Sequence, residues 1–290
     1  PGTTAQAAAG AASTPAADAD EVQIVPLTLA TPAGRLRFDA LIWSPLTSAL
    51  KRQLCYDQSG KSAQCTDAPP YPYARARLNA RFKDGLIDDC LSDALIYQGV
   101  ARDAMQRRLR AAVLQVMAQA PEAAPLVVIA HSMGSKLLFD TLLRMSEEPP
   151  GSAAALAAQR AIDRLRLLVM AANQIPLLSL ADQPLPAEQV AAPPDSLQLL
   201  LRKRLRAERA GTARPLTLVA FSDPNDLLSY TLEPQRYAQD GVTVYNIIVS
   251  NADTWLGLLE RPDSAHLDYL TNPDVGRLIA CGQPISKLCR

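Results

Sequence analysis

The chain carries two histidines, and one of them directly precedes a serine in PLVVIAHSMGSKLLFDTLL, residues 125–143. A serine hydroxyl is a weak nucleophile near neutral pH and needs a positioned base, usually a histidine that a carboxylate orients. Ser132 stands where the pattern changes. Leu126, Val127, Val128 and Ile129 form a short continuous apolar run, whereas Leu137, Leu138, Thr141 and Leu142 recur at helical spacing. A strand–turn–helix corner is the context a nucleophile elbow requires, because the sharp turn lifts the hydroxyl clear of the sheet. Gly134 supplies the second small residue of such a turn, and Ala130 stands where a glycine is usual. The competing reading is an ordinary corner with Ser132 as an N-cap.

A base and an acid must then come from elsewhere in the chain. His131 adjoins the serine and is expected to point away across the turn and pack beside it. His266 lies in RPDSAHLDYL, read as a polar loop after the last strand, where the base belongs. The acid should follow a strand between Ser132 and His266. LTLVAFSDPNDLLSY offers Asp223 and Asp226, with Asp253 and Asp268 as more remote candidates. Asp226 is preferred, since Pro224 initiates a turn that returns Asp226 toward the sheet edge while Asp223 caps it.

These residues need a sheet to position them. The apolar runs VQIVPLTLA (22–30) and LRFDALIW (36–43) read as strands around the turn signal TPAG. From about Asn79 to Met117 the pattern is helical, with Met105, Leu109, Val113 and Met117 every fourth residue and a break at Gly99. After the elbow helix come an Ala-rich helix (152–164), the strands 165–173, 216–221 and 242–249, and a closing helix from about Pro273 to Ile279. Strands alternating with helices predict an α/β fold: a three-layer sandwich with a mostly parallel sheet covered on both faces. Residues 1–20 are a low-complexity linker, and 21–290 form one domain in which 174–213 is a cap-like insertion.

Composition narrows the chemistry. At 290 residues and 48% hydrophobic content the chain can bury a sizeable core, and 29 basic residues balance 29 acidic ones. Zero net charge argues against nucleic-acid binding through phosphate neutralisation. The basic run LLLRKRLRAERA is the one candidate for peripheral contact with an anionic membrane surface. Of five cysteines, Cys55 and Cys65 bracket one short polar loop and Cys281 and Cys289 another. Both pairs read as disulfides, which predicts an oxidising location, periplasmic or secreted, and leaves Cys90 as a buried thiol. Neither pair has zinc-ligand spacing to the histidines, so no metal or other cofactor is expected.

With these residues in view, the chain resembles the α/β-hydrolase superfamily, within it the serine esterase and lipase-like proteins with an A-H-S-M-G elbow. ALIWSPLTSALKRQLCYD, DALIYQG, AHSMGSKLLFD, MAANQIPLL and SDPNDLLSY resemble a group of largely uncharacterised bacterial hydrolase-like proteins. The resemblance spans roughly residues 36–280. It implies a carboxylic ester substrate, small or lipid, with Ser132 as nucleophile, His266 as base, Asp226 as its orienting acid and the Met133 N–H as one oxyanion donor. Acyl transfer to an alcohol and a non-catalytic binding role are the alternatives. One departure stands out: no His-Gly precedes the strand at 36–43, where such proteins carry the loop of the second oxyanion donor. Either an N-terminal part of the sheet is missing or another backbone N–H serves.

Overall fold

Four continuous apolar runs become the strands of one parallel sheet, because a strand buried on both faces by crossover helices has no polar side to alternate with. In a computed structural model, residues 21–31, 34–60, 62, 64–67, 72–185, 193–211, 216–240, 242–256, 258 and 260–285 are described. The sheet comprises β3 (Leu126–His131), β4 (Leu165–Ala171), β5 (Thr217–Ser222) and β6 (Val244–Ile248), adjacent in that order. Register is set by pairs such as Ala130 with Met170, Met170 with Ala220 and Ala220 with Asn246. All four strands therefore end at one edge.

The strands expected at 22–30 and 36–43 form β1 (Gln23–Thr31) and β2 (Gly34–Ile42), but they do not join that sheet. They pair with each other as an antiparallel ribbon. Val25, Leu27, Leu29, Leu36 and Phe38 share one of its faces and are exposed. The intervening residues 32 and 33 lie outside the described residues.

The helical stretch before the elbow is less regular than its pattern predicts. After α1 (Pro45–Lys51) and the 3-10 turn Arg52–Asp57 come α2 (Arg77–Arg81), a π-helical stretch Phe82–Leu91 and α3 (Ser92–Gln98). The expected break falls at Gly99, and α4 (Arg102–Gln119) buries Met105, Leu109, Val113 and Met117 as their spacing requires. Next come α5 (Gly134–Ser146) and α6 (Ala153–Arg164), the latter capped where the Ala155 N–H donates to the Ser152 hydroxyl at 3.1 Å. Short α7 (Ile175–Leu178) leads to α8 (Ser196–Arg209), which starts in a capping box between Asp195 and Gln198. The chain then adds α9 (Pro234–Ala238), α10 (Pro262–Leu267) and α11 (Pro273–Cys281).

Helices cover both sheet faces, an arrangement compatible with three α/β/α layers. On one side α4, α5, α6 and α8 enclose the larger core around Leu137, Met145, Leu168 and Leu218. On the other, Val169, Phe221 and Val249 meet Tyr269 and Val275. The segment expected to be a cap contributes α8 to the helical layer instead, where Leu197, Leu200 and Leu201 pack against α5 and α6. Its basic run has partners within the chain: Arg202 pairs with Asp240, Lys203 donates to Ser146, and buried Arg204 donates to the Ile162 carbonyl. Residues 1–20, 186–192 and 212–215 of the expected linker and insertion lie outside the described residues. Among the described residues, no helix is long and apolar enough to cross a membrane.

A disulfide joins Cys55 to Cys65. The second expected bridge, Cys281–Cys289, cannot be placed, because Cys289 lies outside the described residues; Cys281 is exposed. Cys90 is half-buried, and its surroundings push the thiol up to about 12, chiefly through desolvation. It is un-ionised at neutral pH and therefore a poor nucleophile.

Candidate active site

The parallel sheet ends its strands at a common edge, and the segments that follow β3, β5 and β6 carry the three residues singled out in the sequence. Ser132 follows β3 and adopts φ 54°. A left-handed conformation at a non-glycine residue stores about 1–3 kcal/mol of strain, which the surroundings must hold in place. They do so on both sides of the turn. The Ser132 N–H donates to the Ala171 carbonyl at the end of β4 (2.9 Å), and both the N–H and the hydroxyl of Ser135 donate to the Ser132 carbonyl (3.2 and 2.8 Å). The side chain is left free to face outward. Its Oγ lies 2.9 Å from His266 Nε2.

His266 belongs to α10, not to the loop expected for RPDSAHLDYL. Pro262 at the first helical position fixes the entry to that helix, and the imidazole is 1% exposed. Its Nδ1 lies 2.9 and 3.0 Å from the two Asp226 carboxylate oxygens. A carboxylate accepts only, so Nδ1 carries a proton, which leaves Nε2 as the nitrogen that can accept from the serine hydroxyl. Ser132, His266 and Asp226 thus form one hydrogen-bonded chain.

Asp223 does not reach the histidine. It takes the turn-capping place: its Oδ1 accepts the Asn225 N–H at 2.9 Å, and its Oδ2 accepts the Asn251 N–H at 2.6 Å. Asn251 in turn donates to the Ala265 carbonyl at 2.8 Å, so the loops carrying Asp226 and His266 are joined behind the site. Glu260 closes the same junction, bonded to Asn225. Burial, with the neighbouring Asp223 carboxylate adding to it, pushes the Glu260 carboxyl up to about 7.

Two residues near the site were not identified from sequence. Tyr269 is fully buried; its hydroxyl donates to Asp226 Oδ2 at 3.1 Å and accepts the Asp223 N–H at 2.6 Å. Burial and the Asp226 carboxylate push the phenol well above its usual range, so it remains a donor. The other is Trp43, just after β2, whose indole lies against Gly134. Only the aromatic character of LIW and LDY marked these positions in the sequence, and aromatic residues at such spacing ordinarily fill a core.

His131 does pack beside the elbow, yet it faces toward the base. Its Nε2 lies 3.2 Å from the His266 carbonyl and donates to it, with the two ring centres 5.8 Å apart. Desolvation, reinforced by the neighbouring His266, holds the His131 pKa below the ordinary histidine value. Met133 is the N-cap of α5, with its side chain buried. Neither its N–H nor that of Gly134 meets an acceptor among the described residues. These are orphan donors of a helix start, and the Met133 N–H, directly after the serine, is the one in the position of an elbow oxyanion donor. Against known proteins, no family model, no curated sequence and no solved structure matches this chain.

Proposed function

We propose that the chain is a serine hydrolase of the α/β-hydrolase type that cleaves a carboxylic ester through an acyl-enzyme on Ser132. The observation that carries this reading is the unbroken sequence of contacts from Ser132 Oγ through His266 to Asp226, at 2.9 and 2.9 Å. His266 takes the serine proton on Nε2 as Oγ attacks the carbonyl carbon. Asp226 holds the ring in the required tautomer and stabilises the imidazolium. The proton then passes to the departing alcohol, and water repeats the sequence to release the acid.

The ester is proposed to carry an apolar group, as in a lipid. Leu227 and Leu267, each adjoining a triad residue in the chain, are exposed. Apolar side chains left in water beside such a site favour an apolar ligand. The Cys55–Cys65 bridge weakly favours an oxidising compartment, and a periplasmic or secreted location is proposed on that basis.

Ser132→Ala is the decisive variant. It should abolish p-nitrophenyl ester turnover and fluorophosphonate labelling while leaving the melting temperature close to that of the parent. Equal turnover by the two purified proteins would reject the reading.

A further inference from the structure

Attack on an ester carbonyl puts a full negative charge on its oxygen, and a single backbone N–H at the elbow is a meagre partner for it. Such chemistry ordinarily uses two or more donors aimed at the point where the charge develops. No His-Gly loop is present to supply the second. An indole lies instead against the first residue of α5. Trp43 Nε1 lies 3.1 Å from where a Cβ on Gly134 would sit, closer than the ring's Cδ1 at 3.9 Å. A helical Cβ points outward and leans toward the N-terminus, the direction in which the Met133 and Gly134 N–H groups also point, so the indole nitrogen lies beside the first turn of α5. The indole nitrogen is a donor and never an acceptor, and among the described residues it has no acceptor of its own.

The ring is also held in place. Trp43 packs with Leu41 and Leu46 against the larger core, and its carbonyl accepts the Leu46 N–H at 3.0 Å where α1 begins. Helix α1 is pinned to α3 by buried Thr47, whose hydroxyl donates to Asp93 at 2.6 Å, and by Lys51, which pairs with Asp93 at 3.1 Å. A donor fixed in advance on a rigid junction costs no reorganisation when the charge appears.

We propose that Trp43 is a catalytic residue, the second oxyanion donor, with its indole N–H taking the role of a backbone amide. The inference rests on the serine hydrolase reading above. As the Ser132 Oγ–carbon bond forms, the carbonyl π pair moves onto oxygen, which accepts hydrogen bonds from Trp43 Nε1–H and the Met133 N–H. No proton is transferred to the oxygen. When the pair returns, the carbon–alkoxide bond breaks, and the alkoxide takes the proton held by His266. The absence of a side chain at Gly134 follows from the same arrangement, since a Cβ there would press on the donor.

Trp43→Phe keeps the ring and removes only the N–H. In a chain whose parent turns over p-nitrophenyl butyrate and whose Ser132→Ala variant does not, it should lower kcat by about 100-fold or more. KM should stay within about threefold, because a donor used mainly in the transition state contributes little to ground-state binding. Parent-like kcat in folded Trp43→Phe would overturn the donor role and leave the serine reading intact. A second measurement does not depend on that variant folding. The chain has two tryptophans, so its nitrogen-15 spectrum should hold two indole resonances, and exposed Trp255→Phe identifies which belongs to Trp43. Adding an alkylboronic acid, which forms a tetrahedral adduct on the serine, should move the Trp43 resonance downfield in the parent but not in Ser132→Ala. An adduct that leaves that resonance in place would refute the proposal. A parent that neither turns over ester nor forms the adduct would remove the serine reading, and the proposal with it.

Discussion

Tyr269→Phe removes one oxygen atom and breaks two contacts at once. The hydroxyl accepts the Asp223 N–H at 2.6 Å and donates to Asp226 Oδ2 at 3.1 Å, in a site where Tyr269 is 0% and Asp223 2% exposed. Leaving a buried N–H without a partner costs roughly 1–3 kcal/mol. The loss to Asp226 is smaller than a bare charged hydrogen bond would suggest, because His266 Nδ1 and the Leu228 N–H (3.0 Å) still donate to that carboxylate. Adding about 1 kcal/mol for it gives roughly 2–4 kcal/mol in total. At roughly 2–4 °C per kcal/mol for a domain of this order of size, the melting temperature should fall by about 4–16 °C. Turnover should suffer less than from loss of the acid itself, which in a triad costs about 10⁴ in kcat. His266 keeps both contacts to Asp226, so a decrease of about tenfold is expected in ester turnover at saturating substrate. Thermal unfolding by circular dichroism and p-nitrophenyl butyrate hydrolysis read the two effects separately. A melting temperature within about 1 °C of the parent would show that the hydroxyl is not the sole partner of the Asp223 N–H and would refute the reasoning.

Glu260 has a carboxyl raised to about 7 against an ordinary 4.5, so the folded state keeps its proton where the unfolded chain has lost it. Stability from this group is full below about pH 4.5 and lost as pH rises through 7; Glu260→Gln should therefore melt higher than the parent at pH 8 and alike at pH 4.5, and a constant difference across that range would count against it. His131 has a depressed pKa, so the unfolded chain takes up a proton that the native ring resists, and stability should fall as pH drops below about 6.5. His131→Asn, which retains a donor for the His266 carbonyl, should lose less stability between pH 7.5 and 5 than the parent in urea unfolding, and an equal loss would contradict this. Cys55→Ala with Cys65→Ala opens a ten-residue separation and should cost up to about 3 kcal/mol through the unfolded state, read as a lower urea midpoint under non-reducing conditions.

Much of the site was legible because it depends on local order along the chain. The change from a continuous apolar run to helical spacing at Ser132 marks a strand entering a helix, and β3 and α5 form on either side of it. The segments that become β4, β5 and β6 are read from the same signal, and Pro224 was enough to favour Asp226 over Asp223 as the group that reaches the histidine. Periodicity speaks less clearly where two structures share it. A basic run with apolar residues at helical spacing suits a cap and a layer helix equally, and only the contacts of Leu197, Leu200 and Leu201 with α5 and α6 place α8 in the layer. The polar composition of RPDSAHLDYL likewise suggested a loop, whereas Pro262 starts a short helix that aims His266 inward.

What the sequence by itself determined, then, is the identity of the elements and the order in which Ser132, Asp226 and His266 occur. These follow from side-chain periodicity and turn chemistry acting over a few residues. The tertiary structure alone decided that β1 and β2 form a separate ribbon, that Tyr269 braces Asp226 and that Trp43 lies over Gly134. The last two contacts join residues 43 and 91 positions apart. No local propensity encodes them, because packing selects a partner by shape and hydrogen-bonding need after the elements have already formed.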